Sequence, residues 1–238
     1  MATAADEPAP RPSALLAGRR VLVTSATTYM GPAICELFGE EGATVVADDG
    51  RYLSPGEAEA AVTAAGRLDV LVANLAAPPS PARAPDITDE AWAALFDALV
   101  HPLMRLVRAA LPAMLAQGSG KVVAITSAAP IRGVPGASAY TAARGAQNAL
   151  IRAVGLEVAR NGVQVNAVGQ NYVENDTYYP PGMLADEATR SRLLADVPIR
   201  RFATGRESAE VALWLASDRS DFVVGQVIPF AGGWTTNA

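Results

Sequence analysis

Six short apolar runs alternate with longer helix-patterned stretches, and this alternation restricts the chain to few architectures. The runs are residues 19–24 (RRVLVT), 43–47 (ATVVA), 68–73 (LDVLVA), 121–126 (KVVAIT), 163–168 (VQVNAV) and 225–230 (GQVIPF). Most are rich in Val and Ile without polar alternation, as strands covered on both faces require. The intervening patterns predict helices near 31–41, 56–65, 88–116, 138–160 and 207–217. Thr88, Asp89 and Glu90 suit the start of the third, and Gly42 and Gly162 suit the ends of the first and fourth. Strand–helix alternation of this kind predicts one doubly wound α/β domain with a parallel sheet. The 238 residues, 50% hydrophobic and 18% charged, can bury a core of that size. The domain is expected over 19–238, preceded by a loose Ala- and Pro-rich tail over 1–18.

Between Ala47 and Leu68 lie 20 residues, enough for one helix and its loops. A further strand and helix would need about 30 residues or more. The sheet is therefore expected to have six strands and to lack an element on the side where an adenine usually sits.

Several function classes are excluded early. A net charge of −5 argues against nucleic acid or an anionic membrane surface as the main partner. One cysteine (Cys35) and one histidine (His101) leave no disulfide framework and no His/Cys metal cluster, so no metal is expected. No stretch approaches 18 uninterrupted apolar residues, so no membrane span is expected, nor does the N-terminus read as a signal peptide. A cytoplasmic location is the default expectation.

In nucleotide-binding α/β folds the first strand-to-helix turn is glycine-rich, so that backbone can approach a pyrophosphate resting on the helix N-terminus. Here that turn reads Thr24-Ser25-Ala26-Thr27-Thr28-Tyr29-Met30-Gly31, with glycine only at its end. A phenol at position 29 occupies volume the cofactor needs, so an aromatic wall around a small ligand is expected in its place. Asp48 and Asp49 end the second strand, where an NAD enzyme has its ribose-binding acid, but without the phosphate turn they read as loop or capping acids.

Ser127 directly follows the fourth strand, at the carboxyl edge where open α/β sheets form their sites. Tyr140 and Arg144 lie one helical turn apart in the fourth helix, completing the pattern Ser127-x12-Tyr140-x3-Arg144. A guanidinium beside a phenol favours the phenolate, which predicts a Tyr140 pKa lowered toward neutrality and a role as general base. Ser127 would orient a substrate oxygen.

From Arg19 to Trp234 the layout resembles the short-chain dehydrogenase/reductase superfamily, with a Rossmann-like sheet. Those enzymes carry T-G-x3-G-x-G, a helix Asn and Ser…Tyr-x3-Lys. This chain has Tyr29 at the middle glycine, Arg144 at the lysine, and no Asn between Leu75 and Gln147. These departures resemble the halohydrin dehalogenases, whose turn is T-x4-(F/Y)-x-G and whose triad is Ser-x12-Tyr-x3-Arg. The resemblance implies a fold without a working dinucleotide site and a lyase using no cofactor. It implies that vicinal haloalcohols become epoxides with loss of halide and proton, and that azide, cyanide, nitrite or halide reopen them. Ser127, Tyr140 and Arg144 would carry the chemistry. The halide pocket would comprise Tyr29, Gln170, Asn171, Tyr172, Val173 and Tyr179, with the N–H groups near Tyr172 and Val173 facing the anion. Some members have a proline where Gln170 stands, so this wall is expected to be more polar. The resemblance also implies a homotetramer paired through the third and fourth helices.

Other residues read as structural. Cys35 is expected to be a small buried group, His101-Pro102 a helix irregularity, and Trp234 an interface or core aromatic. Asn74-Leu75-Ala76-Ala77 falls on the rim of the site, where small side chains leave the pocket wide. Two alternatives remain: an NAD(P)-dependent reductase with unusual motifs, and a non-catalytic anion-binding protein on the same scaffold.

Overall fold

The computed structural model describes residues 14–77 and 81–236. Its strands are β1 (Arg20–Thr24), β2 (Thr44–Asp48), β3 (Val70–Asn74), β4 (Gly120–Ser127), β5 (Val163–Gln170) and β6 (Val227–Phe230). All pair in parallel in the order β2-β1-β3-β4-β5-β6, so β2 is an edge and the sheet has six strands. The main helices are α1 (Gly31–Glu40), α2 (Pro55–Ala65), α3 (Asp89–Leu95), α4 (His101–Gln117), α5 (Ala129–Arg132), α6 (Ser138–Val158), α7 (Pro181–Leu184), α8 (Glu187–Leu194) and α9 (Gly205–Ala216). The inner side chains of α2, α4 and α6 form the core on one face of the sheet, and those of α1 and α9 form it on the other.

At their carboxyl ends β4 runs one residue beyond the expected 121–126 and β5 two residues beyond the expected 163–168. Their register pairs Ser127 with Gln170, so both residues close strands side by side. The expected 88–116 helix is interrupted by a π-helical turn over Phe96–Val100, where the His101 N–H reaches the Phe96 carbonyl. Pro102 has no N–H to give to the preceding turn, and a widened turn before it accommodates the defect. By length and composition Asp89–Gln117 would reach across a bilayer, yet Leu99, Leu103, Leu106 and Ala110 are buried in the core.

The last residues of the tail expected over 1–18 are packed instead. Leu16 is completely buried, its N–H bonds to the Glu41 carbonyl, and the Leu15 N–H bonds to the Glu41 carboxylate. The packed chain thus begins before β1, while residues 1–13 lie outside the described residues. Cys35 is half-buried against the α1–α9 core rather than enclosed.

Candidate active site

The site lies at the carboxyl ends of β1, β4 and β5, closed by the loop between β5 and α7. Thr24 ends β1 with its hydroxyl accepting from the Asn74 N–H at 2.9 Å. The Asn74 amide donates to the Ser25 and Thr28 carbonyls at 3.0 and 3.1 Å, binding the turn to the end of β3. Gly31 allows the tight return, since a Cβ there would strike the Ser25 and Ala26 carbonyl oxygens. Tyr29 has φ +56°, the left-handed region that a non-glycine residue seldom occupies. This conformation sends its ring inward, where it is buried edge-on to Tyr178 at 5.4 Å.

Gln170 fixes that ring. The Ser208 hydroxyl donates to the Gln170 carbonyl oxygen at 2.5 Å, which leaves the Gln170 amide to donate to the Tyr29 hydroxyl at 2.9 Å. Gln170 is indeed a polar wall, and its amide is committed to holding Tyr29. Asp49 accepts from the Thr27 N–H at 3.0 Å, and Asp48 accepts from the Gly50 N–H at 2.8 Å, so both acids serve their loops.

Arg144 is completely buried on α6. Its Nε donates to the Tyr140 hydroxyl at 3.0 Å and its Nη2 to the Tyr178 hydroxyl at 3.2 Å. Nη1 donates to the Ile125 carbonyl at 3.2 Å and to the Gln147 amide oxygen at 2.8 Å. Phenols, a carbonyl and an amide receive these bonds; none is a carboxylate. A desolvated cation held only by neutral acceptors favours any anion that forms beside it.

The expected lowering of Tyr140 is corrected by this geometry. Burial pushes its pKa up to about 12; the Arg144 charge pulls the other way without prevailing, and a charge on Tyr178 would raise it further. Sequence spacing supplies the guanidinium but not the desolvation that opposes it. Burial likewise raises Tyr29 and Tyr179.

Ser127 is buried, and its hydroxyl oxygen accepts from the Ala129 N–H at 3.0 Å. The hydroxyl proton remains available to a ligand. Ser127 and Tyr140 line one cavity of about 260 Å³ together with Tyr29, Gln170, Asn171, Tyr172, Val173, Tyr178, Tyr179 and Trp234. Every pocket residue expected from the sequence is therefore assembled around it.

The backbone donors differ from expectation. Tyr172, at φ +56°, gives its N–H to the Asn171 side-chain oxygen at 2.9 Å, and the Tyr179 hydroxyl donates to the same oxygen at 2.8 Å. The Tyr172 amide is therefore taken. The bridge to Ala203 uses the Tyr172 carbonyl and the Glu174 N–H, so among the described residues nothing accepts from the buried Val173 N–H.

Sequence reasoning passed over Asn175 and Tyr178 and gave Trp234 another role. Asn175 accepts from the Thr177 and Tyr178 N–H groups at 2.9 and 2.7 Å and so shapes the loop that presents Tyr178 and Tyr179. Its signal is the turn-forming Asn-Asp-Thr run. Tyr178 was legible only as half of a Tyr-Tyr pair. Trp234, expected to be an interface or core aromatic, stands on the cavity wall edge-on to Tyr172 at 5.8 Å, with the Arg132 guanidinium 4.9 Å from its ring. A second cleft of about 660 Å³ lies beyond the first turn, among Ser25, Thr27, Asp49, Arg51 and Leu75.

Comparison with known proteins places the chain in a family. A family model described as Enoyl-(Acyl carrier protein) reductase matches residues 55–235. The 3-oxoacyl-(acyl-carrier-protein) reductase FabG of Thermotoga maritima is 30% identical over 246 residues, covering 92% of this chain and 98% of its own length. The chain belongs to the short-chain dehydrogenase/reductase superfamily. Another relative in this superfamily is cis-4-hydroxycyclohexanecarboxylate dehydrogenase of Sinomonas cyclohexanicum, 33% identical over 92% of this chain and 97% of that protein. A solved structure named "Dehalogenation enzyme" superposes with a TM-score of 0.88 at 32% identity, covering 93% of this chain and all of the other. As a short-chain dehydrogenase/reductase, the chain keeps the expected six-stranded sheet; Ser127 and Tyr140 line one cavity, and Arg144 is buried behind Tyr140 rather than on the cavity wall.

Proposed function

We propose that this protein is a halohydrin dehalogenase that works without a nicotinamide cofactor. The observation that carries this reading is the pairing of a phenol with a fully buried guanidinium, facing a small cavity into which Tyr29 projects. Tyr29, held by Gln170 and set edge-on against Tyr178, stands in the turn along which a pyrophosphate would approach, which supports a reading without the dinucleotide.

In the proposed reaction Ser127 donates to the hydroxyl oxygen of a vicinal haloalcohol. Tyr140, as phenolate, removes that hydroxyl's proton while Arg144 holds the phenol oxygen. The alkoxide forms a new C–O bond on the adjacent carbon as the C–halogen bond breaks. The halide leaves with its electron pair toward the Val173 N–H, between the Tyr29, Tyr172 and Tyr179 rings and Asn171. A single neutral amide and aromatic edges suit a weakly hydrated anion that must depart again. In the reverse direction protonated Tyr140 acts as the acid when a small anion opens the epoxide. The same reading carries a homotetramer paired through α3–α4 and α6, for which light scattering of a stable monomer would be contrary evidence.

The test is release of halide and proton from 1,3-dichloro-2-propanol in buffer alone, abolished by Tyr140→Phe. No release across a panel of vicinal haloalcohols refutes the reading. The reductase relatives and the second cleft near Asp49 favour a rival, NAD(P)-dependent carbonyl reduction. Saturable NADH binding with oxidation by a carbonyl substrate would establish that rival instead.

A further inference from the structure

The proposed reaction leaves part of the cavity wall without a task. Ser127 and Tyr140 address the carbinol oxygen, and the halide has its own walls. Pro81, Ala129, Val134, Ala137 and Trp234 line the same cavity and serve neither. Among the described residues no charged side chain lines it. A charged substituent would lose its water there without gaining a partner, so the group on the carbinol carbon must be uncharged. Apart from the indole, these five residues offer it only carbon side chains. A cavity of about 150 Å³ takes up benzene. At about 260 Å³ this one holds a single ring beside the two reacting carbons.

Trp234 is the aromatic member of that wall, and several contacts set it before a ligand arrives. Gly232 and Gly233 precede it at φ +59° and +85°. A Cβ at Gly232 would lie 2.6 Å from Ile199 Cγ2, and one at Gly233 would lie 3.0 Å from Pro198 Cγ. Glycine therefore lets the chain turn close against the segment after α8. The Arg132 guanidinium lies 4.9 Å from the indole centroid, its Nη1 donates to the Trp234 carbonyl at 3.4 Å, and its Nη2 pairs with Asp196 at 3.5 Å. Tyr172 meets the ring edge-on. A ring ordered in this way is preorganised for a ligand.

We infer that Trp234 is a specificity-determining residue that selects an aryl group as the substituent on the carbinol carbon. This deepens the dehalogenase reading and rests on it. An aryl group gains an aromatic pair with the indole beyond the area it buries, which an alkyl group of equal size does not.

Trp234→Leu keeps an apolar side chain and removes the aromatic ring. The probes are 1-phenylethanol and 1-cyclohexylethanol, which carry no halogen; calorimetry in buffer alone reads their affinities without turnover. In Trp234→Leu the dissociation constant of 1-phenylethanol rises about fivefold and that of 1-cyclohexylethanol less than twofold, and Trp234→Phe restores the difference. With 2-chloro-1-phenylethanol as substrate the same loss falls on KM, with kcat within twofold. Should Trp234→Leu not fold, Trp234→Met is read in its place and moves the same way. Equal weakening of both alcohols, an unmoved affinity for 1-phenylethanol, or no binding of it to the parent protein overturns the inference. Absence of halide release from the parent instead counts against the dehalogenase reading alone, because the alcohol affinities still decide what Trp234 selects.

Discussion

Replacing Arg144 by methionine separates catalysis from stability more sharply than any other single change. The substitution removes a buried charge while keeping a long, flexible, apolar side chain. Two unit charges about 4 Å apart at an effective dielectric near 20 attract by about 4 kcal/mol. A hydrogen bond to an ionised oxygen contributes about 1.5–3 kcal/mol, and the two figures overlap. A loss of about 3 kcal/mol in phenolate stabilisation raises the Tyr140 ionisation by about two pH units and slows ring closure about a hundredfold at fixed pH. Stability responds differently. The Gln147 oxygen loses its donor, at a cost of about 1–3 kcal/mol, while a desolvated cation without a carboxylate partner is no longer buried, which returns energy of similar size. The urea midpoint should therefore move little. The assay is bromide release from a vicinal bromoalcohol, beside a denaturation curve of the same sample. A folded Arg144→Met protein closing the ring within threefold of the parent rate would refute the electrostatic argument.

Other consequences follow from the same contacts. Because burial raises Tyr140 to about 12, ring closure should accelerate with pH, approaching tenfold per unit below that value, whereas epoxide opening by azide, served by the protonated phenol, should not rise with it; parallel profiles for the two directions would contradict this. Tyr29, Tyr52, Tyr140, Tyr172 and Tyr179 are all raised above the unfolded phenol value near 10, so their contribution to stability is complete below pH 10 and is lost as pH climbs toward 12 and above. Phenolate absorbance should therefore appear together with loss of circular dichroism, and ionisation of most of the six tyrosines near pH 10 in folded protein would be contrary evidence. Tyr29→Phe leaves the buried Gln170 amide without its acceptor and should lower stability by about 1–3 kcal/mol in urea unfolding. Gly155→Ala would place a Cβ 2.7 Å from the Gly225 backbone and 2.9 Å from the Val165 carbonyl, so the α6–β5 contact must open; loss of at least about 2 kcal/mol is expected, and an unchanged midpoint would contradict the packing.

Much of this protein was legible in one dimension because the signals are local. Valine-rich runs separated by helical periodicity dictate buried parallel strands, and the short Ala47–Leu68 interval limits them to six. The four-residue spacing of Tyr140 and Arg144 places both on one face of a helix wherever that helix docks. Tyr29 was conspicuous because it stands in a turn that otherwise calls for glycine. Tertiary structure decided what depends on distant partners. Leu16 is core only because Glu41 and α1 return to meet it, and Gln170 holds Tyr29 only because Ser208 arrives from α9. Spacing brought a cation to a phenol, but the direction of the phenol's shift belongs to burial, which no pair of neighbours in sequence can specify. Tyr178 joins the same guanidinium across a gap of 34 residues, through a loop whose path Asn175 sets. Periodicity fixes which face a side chain takes; only packing fixes what stands opposite and how much water remains between.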